Sequence, residues 1–334
     1  MKQSVFLSVG HYVPPKIVTN HDLEKMMDTS DEWIQKRTGI QERRYVEEGM
    51  GNLEMAYEAT QMALKRAGLQ IKDIDFIILS TLSPDYTFPG DACFLQAKLG
   101  LAGIPALDIR QQCTGFIYGI SIADQFIKTG MYKTVLVVGT EVHSTALDFS
   151  TKGRDVTVLF GDGAGVAILG AHEEKDSISR GVLSTHLHAD GRFGKELWIE
   201  GASSRQHPRI THEMIDEGRI YPKMNGRMVF TMAVKKLQEV ILEALDANNV
   251  RVEGVDLFAF HQANLRIVQA VADAMRFPME KTFNNIQKYG NTTAASIPIV
   301  LSEAYEAGKI KKGSLVCISS FGSGFTWASA LIRW

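Results

Sequence analysis

The sequence predicts a layered α/β fold built from two similar halves, and three observations support this. Segments such as FIILS, TVLVVG and LVCIS are apolar throughout, which is typical of strands covered by helices on both faces. These strands alternate with amphipathic helices, a pattern that places helices and sheets in separate layers. The order of elements in the first half of the chain then recurs in the second. We therefore expect a duplicated unit.

The first observation of a repeat is a matched helix–turn–strand plan. The segment MAYEATQMALKRAGLQIKDIDFIILSTLSP predicts a helix with Gly68 at its C-cap, a turn and a buried strand. The segment FTMAVKKLQEVILEALDANNVRVEGVDLFAFHQAN predicts the same elements in the same order. Its apolar stripe at helical spacing consists of Val234, Leu237, Ile241 and Leu245.

The spacing of the repeat extends further along the chain. The separation of Asp75 from Thr134 (134 − 75) matches that of Asp256 from Ser314 (314 − 256) to within one position. Cys113 and Asn291 precede a glycine at a predicted helix end by equal separations (130 − 113 and 308 − 291). Several matches in one order indicate duplication. We expect one half at 1–172 and the other at 173–334.

Composition and charge exclude several classes of protein. The chain has 334 residues, of which 45% are hydrophobic, and its 36 basic and 38 acidic side chains give a net charge of −2. Nucleic acid is therefore not an expected partner. The apolar stretch in the N-terminal MKQSVFLSVG is too short for a signal peptide. No apolar run in the sequence is long enough to cross a membrane. With only three unpaired-looking cysteines, we expect a cytoplasmic protein without membrane contact.

Cys113 is the candidate nucleophile. In DIRQQCTGFIYG it follows an apolar strand and precedes an amphipathic helix, so the thiol lies where a loop enters a helix. The partial positive charge of a helix N-terminus favours a thiolate. The alternative is a small buried hydrophobic residue, which is the usual role of a free cysteine. Cys93 falls inside a predicted helix and Cys317 inside a predicted strand, so we expect both to be buried hydrophobic residues.

His261 and Asn291 are the other candidates. His261 closes a predicted strand and is followed by Gln262, Asn264 and Arg266, and polar groups at strand C-termini are typical of functional sites. A core histidine remains the alternative. Asn291, in KYGNTTAASIP, has the chemistry of a helix cap, and an amide turned into a cleft could also donate to an oxyanion.

The glycine-rich runs have different interpretations. FGDGAGVAILG lacks the Lys-Ser/Thr ending of a phosphate loop, so we expect a tight turn between strands. SSFGSGFTW could bring backbone N–H groups close to an oxyanion. His186 and His188 share a strand face and Asp190 follows, but no third ligand is convincing, so no metal site is expected.

With these residues assembled, the chain resembles the ketoacyl synthase III family, the 3-oxoacyl-acyl-carrier-protein synthases. The resemblance rests on DTSDEWIQKRTGIQER, QQCTGF, FGDGAG, STHLHADG, HQANLR, YGNTTAASIP and FGSGFTW, in that order over almost the whole chain. It implies a thiolase-like fold of five layers, αβαβα, that forms a homodimer. It also implies an acyltransferase that condenses an acyl-CoA with malonyl-acyl-carrier protein at the start of fatty acid synthesis, with no bound cofactor.

The resemblance also assigns roles. Cys113 would be acylated, and His261 and Asn291 would act on the malonyl thioester. The backbone N–H groups of Cys113 and Ser323 would form an oxyanion hole. The expected coenzyme A contacts are Trp33, Arg37, Arg154 and Asn264. The stretch expected to face the carrier protein is Gln262, Ala263, Asn264, Leu265 and Arg266.

Alternatives remain open at this point. The same scaffold could pass an acyl group from Cys113 to an alcohol or amine, or serve a specialised condensation in a secondary pathway. A non-catalytic binding subunit would be expected to lack the cysteine. The acyl starter also stays open, because Gln111, Gln112, Ser323 and the segment 196–224 differ from the common pattern of the family.

Overall fold

The computed structural model describes residues 2–173 and 180–334. The strands are β1 (Lys2–Tyr12), β2 (Lys16–Thr19), β3 (Glu42–Tyr45), β4 (Phe76–Ser80), β5 (Ala106–Ile109), β6 (Thr134–Glu141), β7 (Gly163–Glu173), β8 (Gly181–Ala189), β9 (Leu197–Trp198), β10 (Lys223–Met224), β11 (Leu257–Phe260), β12 (Leu315–Gly322) and β13 (Thr326–Arg333). The helices are α1 (Asn20–Glu24), α2 (Asp31–Thr38), α3 (Asn52–Ala67), α4 (Asp91–Lys98), α5 (Gly115–Lys128), α6 (Arg154–Thr157), α7 (His212–Asp216), α8 (Gly226–Ala247), α9 (Leu265–Met275), α10 (Ile286–Tyr289) and α11 (Ser296–Glu306). Across these ranges, no helix has both the length and the apolar character needed to span a bilayer.

The two large sheets have the same topology. The first sheet has the order β1-β7-β6-β4-β5, and the second has the order β8-β13-β12-β11. In each of these orders, the first strand is antiparallel to the second and the second to the third, whereas the third and fourth strands are parallel. Beside β11, where the first sheet carries β5, a single parallel bridge joins Phe258 to Thr282. The predicted duplication is therefore visible in strand order and direction.

Helices cover both faces of both sheets. One apolar cluster joins α3 and α4 to the outer face of the first sheet, and another joins α8 and α9 to the outer face of the second. A third cluster places α5 and α11 between the sheets. In the predicted stripe of α8, Leu237, Ile241 and Leu245 are buried and Val234 is partly buried. The five-layered fold predicted from the sequence is confirmed.

Matching hydrogen bonds fix the register of the repeat. The Thr134 N–H donates to Oδ1 of Asp75 at 3.1 Å, and the Leu315 N–H donates to Oδ2 of Asp256 at 2.7 Å. The two pairs have the same separation along the chain. The partner of Thr134 in the repeat is therefore Leu315, and the match to Ser314 was wrong by one position. We call the constant difference in residue number between the halves (256 − 75 = 315 − 134) the repeat offset.

The repeat offset also aligns the turns that precede α5 and α11. Gln112 and Thr293 are related by it (293 − 112 = 256 − 75), and both have left-handed backbones, with φ of 46° and 47°. Cys113 therefore corresponds to Ala294, and its match to Asn291 was wrong. The equal separations from the following glycines arose because α5 has 14 residues and α11 has 11.

The segment VTVLF, which precedes FGDGAG, does not form the first of the two strands that a turn between strands requires. Residues Arg154–Thr157 form the short helix α6, and Phe160 makes only an isolated bridge with Asn291. Val156, Val158 and Leu159 are buried in a cluster with residues of α2. Tertiary packing here overrides the strand preference of β-branched residues. FGDGAG is thus not a turn between two strands.

Candidate active site

Cys113 lies in a short turn between β5 and α5. The turn comprises residues Gln112–Thr114 and runs directly into α5 at Gly115. The Ser320 hydroxyl donates to the Cys113 carbonyl at 2.7 Å, which joins this turn to β12 of the other sheet. The side chain of Cys113 is buried, with 7% of its surface exposed. The loop-to-helix position predicted for the thiol is confirmed.

The turn after β12 approaches the thiol from the other half of the chain. A Cβ on Gly322 would lie 3.1 Å from the backbone nitrogen of Cys113, so a side chain there would crowd the site. Backbone N–H groups of Cys113 and Ser323 both interact with the thiol and lower its pKa. The Ser323 hydroxyl itself donates to the carbonyl of Leu197 in β9. Two backbone donors, one from each half of the chain, therefore lie near the sulfur.

Burial controls the ionisation of Cys113. It raises the pKa of the thiol to about 12, and the charge of Glu141 raises it further, whereas the two N–H groups oppose the shift. A helix N-terminus favours a thiolate. In this site desolvation outweighs that effect, so the expected thiolate is not the resting form.

His261 presents an unpaired nitrogen to the site. It directly follows β11, and its Nδ1 lies 2.6 Å from Oγ of Ser296. Nε2 is buried and has no hydrogen-bond partner among the described residues. Burial, reinforced by nearby His143, lowers the pKa of His261 to about 3, so the ring is neutral near pH 7.

The contacts of Ser296 fit a tautomer of His261 that carries its proton on Nε2. The Ser296 oxygen accepts the Gln262 backbone N–H at 3.3 Å, and its hydroxyl proton can be donated to Nδ1 of His261. In that arrangement the ring proton resides on Nε2, from which His261 can donate a hydrogen bond.

Asn291 is held by its side-chain oxygen. That oxygen accepts the Thr293 N–H at 2.9 Å, and the Asn291 backbone N–H donates to the Leu159 carbonyl at 2.8 Å. The amide oxygen is thereby engaged, and the NH₂ group is left to donate. Asn291 and His261 thus both offer hydrogen-bond donors.

One cavity brings these groups together. It has a volume of about 520 Å³, and Cys113, His261 and Asn291 all line it. Leu197 of β9 and Met224 of β10 form part of the wall, so the segment 196–224 contributes to the cavity. Other lining residues include Trp33, Arg37, Asn264, Arg266 and Phe230.

Two guanidinium groups lie over the ring of Trp33, an expected coenzyme A contact. The Cζ atoms of Arg37 and Arg154 lie 4.5 Å and 4.7 Å from the ring centroid of Trp33. Nη1 of Arg154 also donates to the Asp28 carbonyl at 2.7 Å. Cations over an indole are stabilised by its ring electrons. The three side chains therefore form one cationic cluster around the indole.

The stretch predicted to face a carrier protein divides into buried and exposed members. Gln262 is 1% exposed, and its amide bonds the Phe260 carbonyl and the Asn285 N–H. Its side chain therefore bonds inward, and its place in the stretch that faces the carrier protein stays a prediction. Asn264 caps α9, and its Nδ2 donates to the Arg37 carbonyl at 3.0 Å. Arg266 is exposed.

Ala263 and Leu265 complete this stretch, and both are partly buried. Leu265 packs against Gly39, where an added Cβ would lie 2.8 Å from the Leu265 Cβ. Its side chain therefore contributes to the contact between α9 and α2.

Sequence reasoning missed the partner of His261. The repeat offset pairs Ser80 with His261 and Gly115 with Ser296 (261 − 80 = 296 − 115). His261 and Ser296 thus occupy positions that are a serine and a glycine in the first half. A comparison of the two halves in the corrected register would therefore have shown that His261 and Ser296 both differ from their equivalents in the first half.

The histidines of β8 lie outside this site. His186 and His188 contact the same carboxylate, Glu243, at 3.2 Å and 2.6 Å. The described residues contain no group of three or more His, Cys, Asp or Glu side chains that could hold a metal ion. We assign the pair to the contact between β8 and α8.

Comparisons with known proteins identify the family. Residues 107–191 match the family model described as 3-oxoacyl-[acyl-carrier-protein (ACP)] synthase III, and residues 245–334 match its C-terminal counterpart. Beta-ketoacyl-[acyl-carrier-protein] synthase III of Caldanaerobacter subterraneus subsp. tengcongensis is 44% identical over 328 residues, covering 98% of this chain and 97% of that protein. The protein of the same name from Geobacillus kaustophilus is 45% identical over 328 residues, covering 98% of each.

A solved structure agrees with the fold. The crystal structure of 3-oxoacyl-[acyl-carrier-protein] synthase III from Aquifex aeolicus VF5 superposes with a TM-score of 0.89 at 42% identity, covering 99% of this chain and 100% of that one. The thiolase-like fold expected from the resemblance is confirmed. Because these relatives match over nearly their full length at such identity, the chain belongs to the 3-oxoacyl-[acyl-carrier-protein] synthase III family.

Proposed function

We propose that this chain condenses an acyl-CoA with malonyl-acyl-carrier protein, releasing carbon dioxide and forming a 3-oxoacyl-acyl-carrier protein. The observation that carries the proposal is the pair of free donors in the cavity of Cys113. Nε2 of His261 has no partner among the described residues, and the Asn291 amide is turned to donate. Two neutral donors beside a thiol suit the stabilisation of an enolate next to an acyl-enzyme.

The first stage forms the acyl-enzyme. The Cys113 sulfur attacks the thioester carbon of acyl-CoA, and the backbone N–H groups of Cys113 and Ser323 stabilise the developing oxyanion. The carbon–sulfur bond to coenzyme A breaks, and the thiol proton of Cys113 leaves with coenzyme A as its free thiol. Trp33, Arg37 and Arg154 support binding of coenzyme A through stacking and charge, and Asn264 lines the same channel.

The second stage uses malonyl-acyl-carrier protein. Loss of carbon dioxide from the malonyl group leaves an enolate, whose oxygen accepts hydrogen bonds from His261 and Asn291. The enolate carbon attacks the acyl carbonyl, and the Cys113 sulfur leaves and takes up a proton. The steps use the thiol, imidazole and amide groups of the chain, and no bound cofactor takes part. Arg266 is exposed and lines the cavity, so it offers a positive charge to an incoming carrier protein.

Intact-mass measurement tests this function and names the starter. The protein is exposed to a panel of acyl-CoA thioesters, and the mass gained identifies the acyl group that Cys113 accepts. Malonyl-acyl-carrier protein is then added, and release of the acyl group with carbon dioxide supports condensation. Release of the acyl group to an added alcohol or amine, without carbon dioxide, would instead identify a simple acyltransferase.

We also propose a homodimer assembled through the edge of the first sheet. β5 is the outermost strand there, and Leu107 on it is 37% exposed. Nearby, Tyr86 is 56% exposed and contacts Phe94 of α4. An exposed apolar edge strand favours pairing with another chain.

Light scattering tests the dimer. We expect Leu107→Lys to shift the mass towards the monomer, whereas Met131→Lys, at a residue 62% exposed elsewhere, leaves the mass unchanged. Equal masses for wild type and both variants would reject this interface. The division into halves at 1–172 and 173–334, and the cytoplasmic location, stay predictions.

A further inference from the structure

A buried histidine lies behind Asn291, and the proposed reaction leaves it unused. His143 follows β6 and is 7% exposed. Its Nε2 lies 2.7 Å from Oγ1 of Thr293. The ring of Phe160, which is bridged to Asn291, lies 4.5 Å from the His143 ring. His143 is therefore packed against the segment that carries the amide donor.

Thr293 links His143 to Asn291 directly. Its backbone N–H donates to the side-chain oxygen of Asn291 at 2.9 Å, while its hydroxyl meets His143. Thr293 also has a φ of 47°, a left-handed conformation that β-branched residues rarely adopt. Such a backbone persists only when its surroundings hold it. The bond to His143 is one of the restraints that do so.

The repeat explains why His143 acts on the turn. By the repeat offset, Glu141 and His143 correspond to Gly322 and Gly324 (322 − 141 = 324 − 143). Beside Cys113, Gly322 leaves room for substrate, because a Cβ there would lie 3.2 Å from the sulfur. At the equivalent place beside Ala294, the two side chains fill the space instead, and the Ala294 N–H points to Oε1 of Glu141 at 3.5 Å.

The backbone of His143 is itself fixed. Its N–H donates to Oδ1 of Asp162 at 2.7 Å, and the Ser144 N–H donates to the same oxygen at 2.9 Å. A ring on such a rigid base can set the position of the group that it contacts.

We propose that His143 is a positioning residue that aims the Asn291 amide, through Thr293, for the malonyl half-reaction. This inference rests on the proposed function. It predicts that loss of the His143–Thr293 bond impairs decarboxylation of malonyl-carrier protein and leaves acylation of Cys113 largely intact, because Cys113 is held by a different turn.

The experiment compares variants that keep or remove one atom. His143→Gln can place a polar atom near the position of Nε2, whereas His143→Asn is too short to reach it. Thr293→Val removes the hydroxyl, and Thr293→Ser keeps it. Single-turnover acylation is followed by mass, and decarboxylation by carbon dioxide released from labelled malonyl-carrier protein. Wild type and Asn291→Ala are measured alongside.

We expect His143→Asn and Thr293→Val to slow decarboxylation by about tenfold, as for the loss of one hydrogen bond, with acylation changed by less than about twofold. His143→Gln and Thr293→Ser should recover most of the rate. The double variant His143→Asn/Thr293→Val should be no slower than Thr293→Val alone.

Several results would overturn the inference. Equal loss of both rates would make His143 merely structural, and an unchanged decarboxylation rate or fully additive effects would remove the link through Thr293. If wild type itself released no carbon dioxide, the proposed function would fail. If Asn291→Ala lost decarboxylation while His143→Asn kept it, this inference alone would fail.

Discussion

Gly322 faces Cys113 so closely that a Cβ on it would lie 2.8 Å from the Cβ of Cys113 and 3.2 Å from its Sγ. The first distance is shorter than real Cβ contacts allow, and the second leaves no space for an incoming thioester. The absence of a side chain at residue 322 is therefore a requirement of the site.

Replacement of Gly322 by Ala should strongly slow acylation of Cys113. The methyl group would displace Cys113 or block the oxyanion hole, and loss of such stabilisation lowers rates by about 10²–10³. Single-turnover mass measurement gives the rate. The control is Gly254→Ala, where a Cβ would make only an ordinary contact of 3.5 Å with Val250. Normal acylation in Gly322→Ala would refute the proposed geometry.

The two half-reactions should separate by mutation. His261→Ala and Asn291→Ala each remove one donor to the enolate, so we expect condensation and decarboxylation to fall by about 10²–10³ while much of the acylation remains. Cys113→Ala should form no acyl-enzyme yet retain some decarboxylation. If His261→Ala lost acylation but kept decarboxylation, His261 would instead be the base for the thiol.

Decarboxylation by Cys113→Ala should not depend on an ionisation of His261 near neutral pH. Burial lowers the pKa of His261 to about 3, so the neutral donor is present above that value and is lost only as the pH falls towards it. An unperturbed histidine would titrate at about 6.5. The rate profile from about pH 5 to about 8 is the measurement. An inflection near 6.5 that disappears in His261→Ala would contradict the assignment.

The cationic cluster around Trp33 should govern the affinity for coenzyme A. Charge-assisted contacts contribute about 1.5–3 kcal/mol, so Arg37→Ala and Arg154→Ala should each raise the KM for acyl-CoA by roughly tenfold or more. The rate at saturating acyl-CoA should change little. An unchanged KM in both variants would reject this binding surface.

Neutralising Glu141 should make Cys113 more reactive. Burial raises the pKa of Glu141 to about 7, so its charge raises the pKa of the Cys113 thiol mainly above that pH. Glu141→Gln removes this effect and should increase the thiolate fraction there. Alkylation by iodoacetamide, mapped by peptide mass, measures the change. Cys93, which is exposed and not buried as expected, serves as the internal control in the same sample. A slower reaction at Cys113 would contradict the sign of the interaction.

Much of the fold was predictable because local pattern and tertiary packing agree. FIILS, TVLVVG and LVCIS became β4, β6 and β12, and Gly68 ends α3 with a left-handed φ of 65°. The segment VTVLF does not form a strand, because its apolar side chains pack against α2. That contact cannot be predicted from the local preference of the residues.

The residues of the site were easier to predict from the sequence than their pKa values. Cys113, His261 and Asn291 were named from sequence, but the pKa shifts of the first two arise from burial, which depends on the assembled halves. The resemblance assigns Gln262 to the stretch that faces the carrier protein, whereas its side chain bonds inward.

Glu141 and His143 fill the position that the repeat offset relates to Gly322 and Gly324. This filling sets how many acyl groups each chain can carry. A duplicated architecture could hold two nucleophiles, yet Ala294 stands where the second sulfur would be, and the space before it is occupied. We expect acylation to saturate at one equivalent per polypeptide. Grafting a thiol by Ala294→Cys would leave it walled off from any thioester, so a second equivalent should not appear.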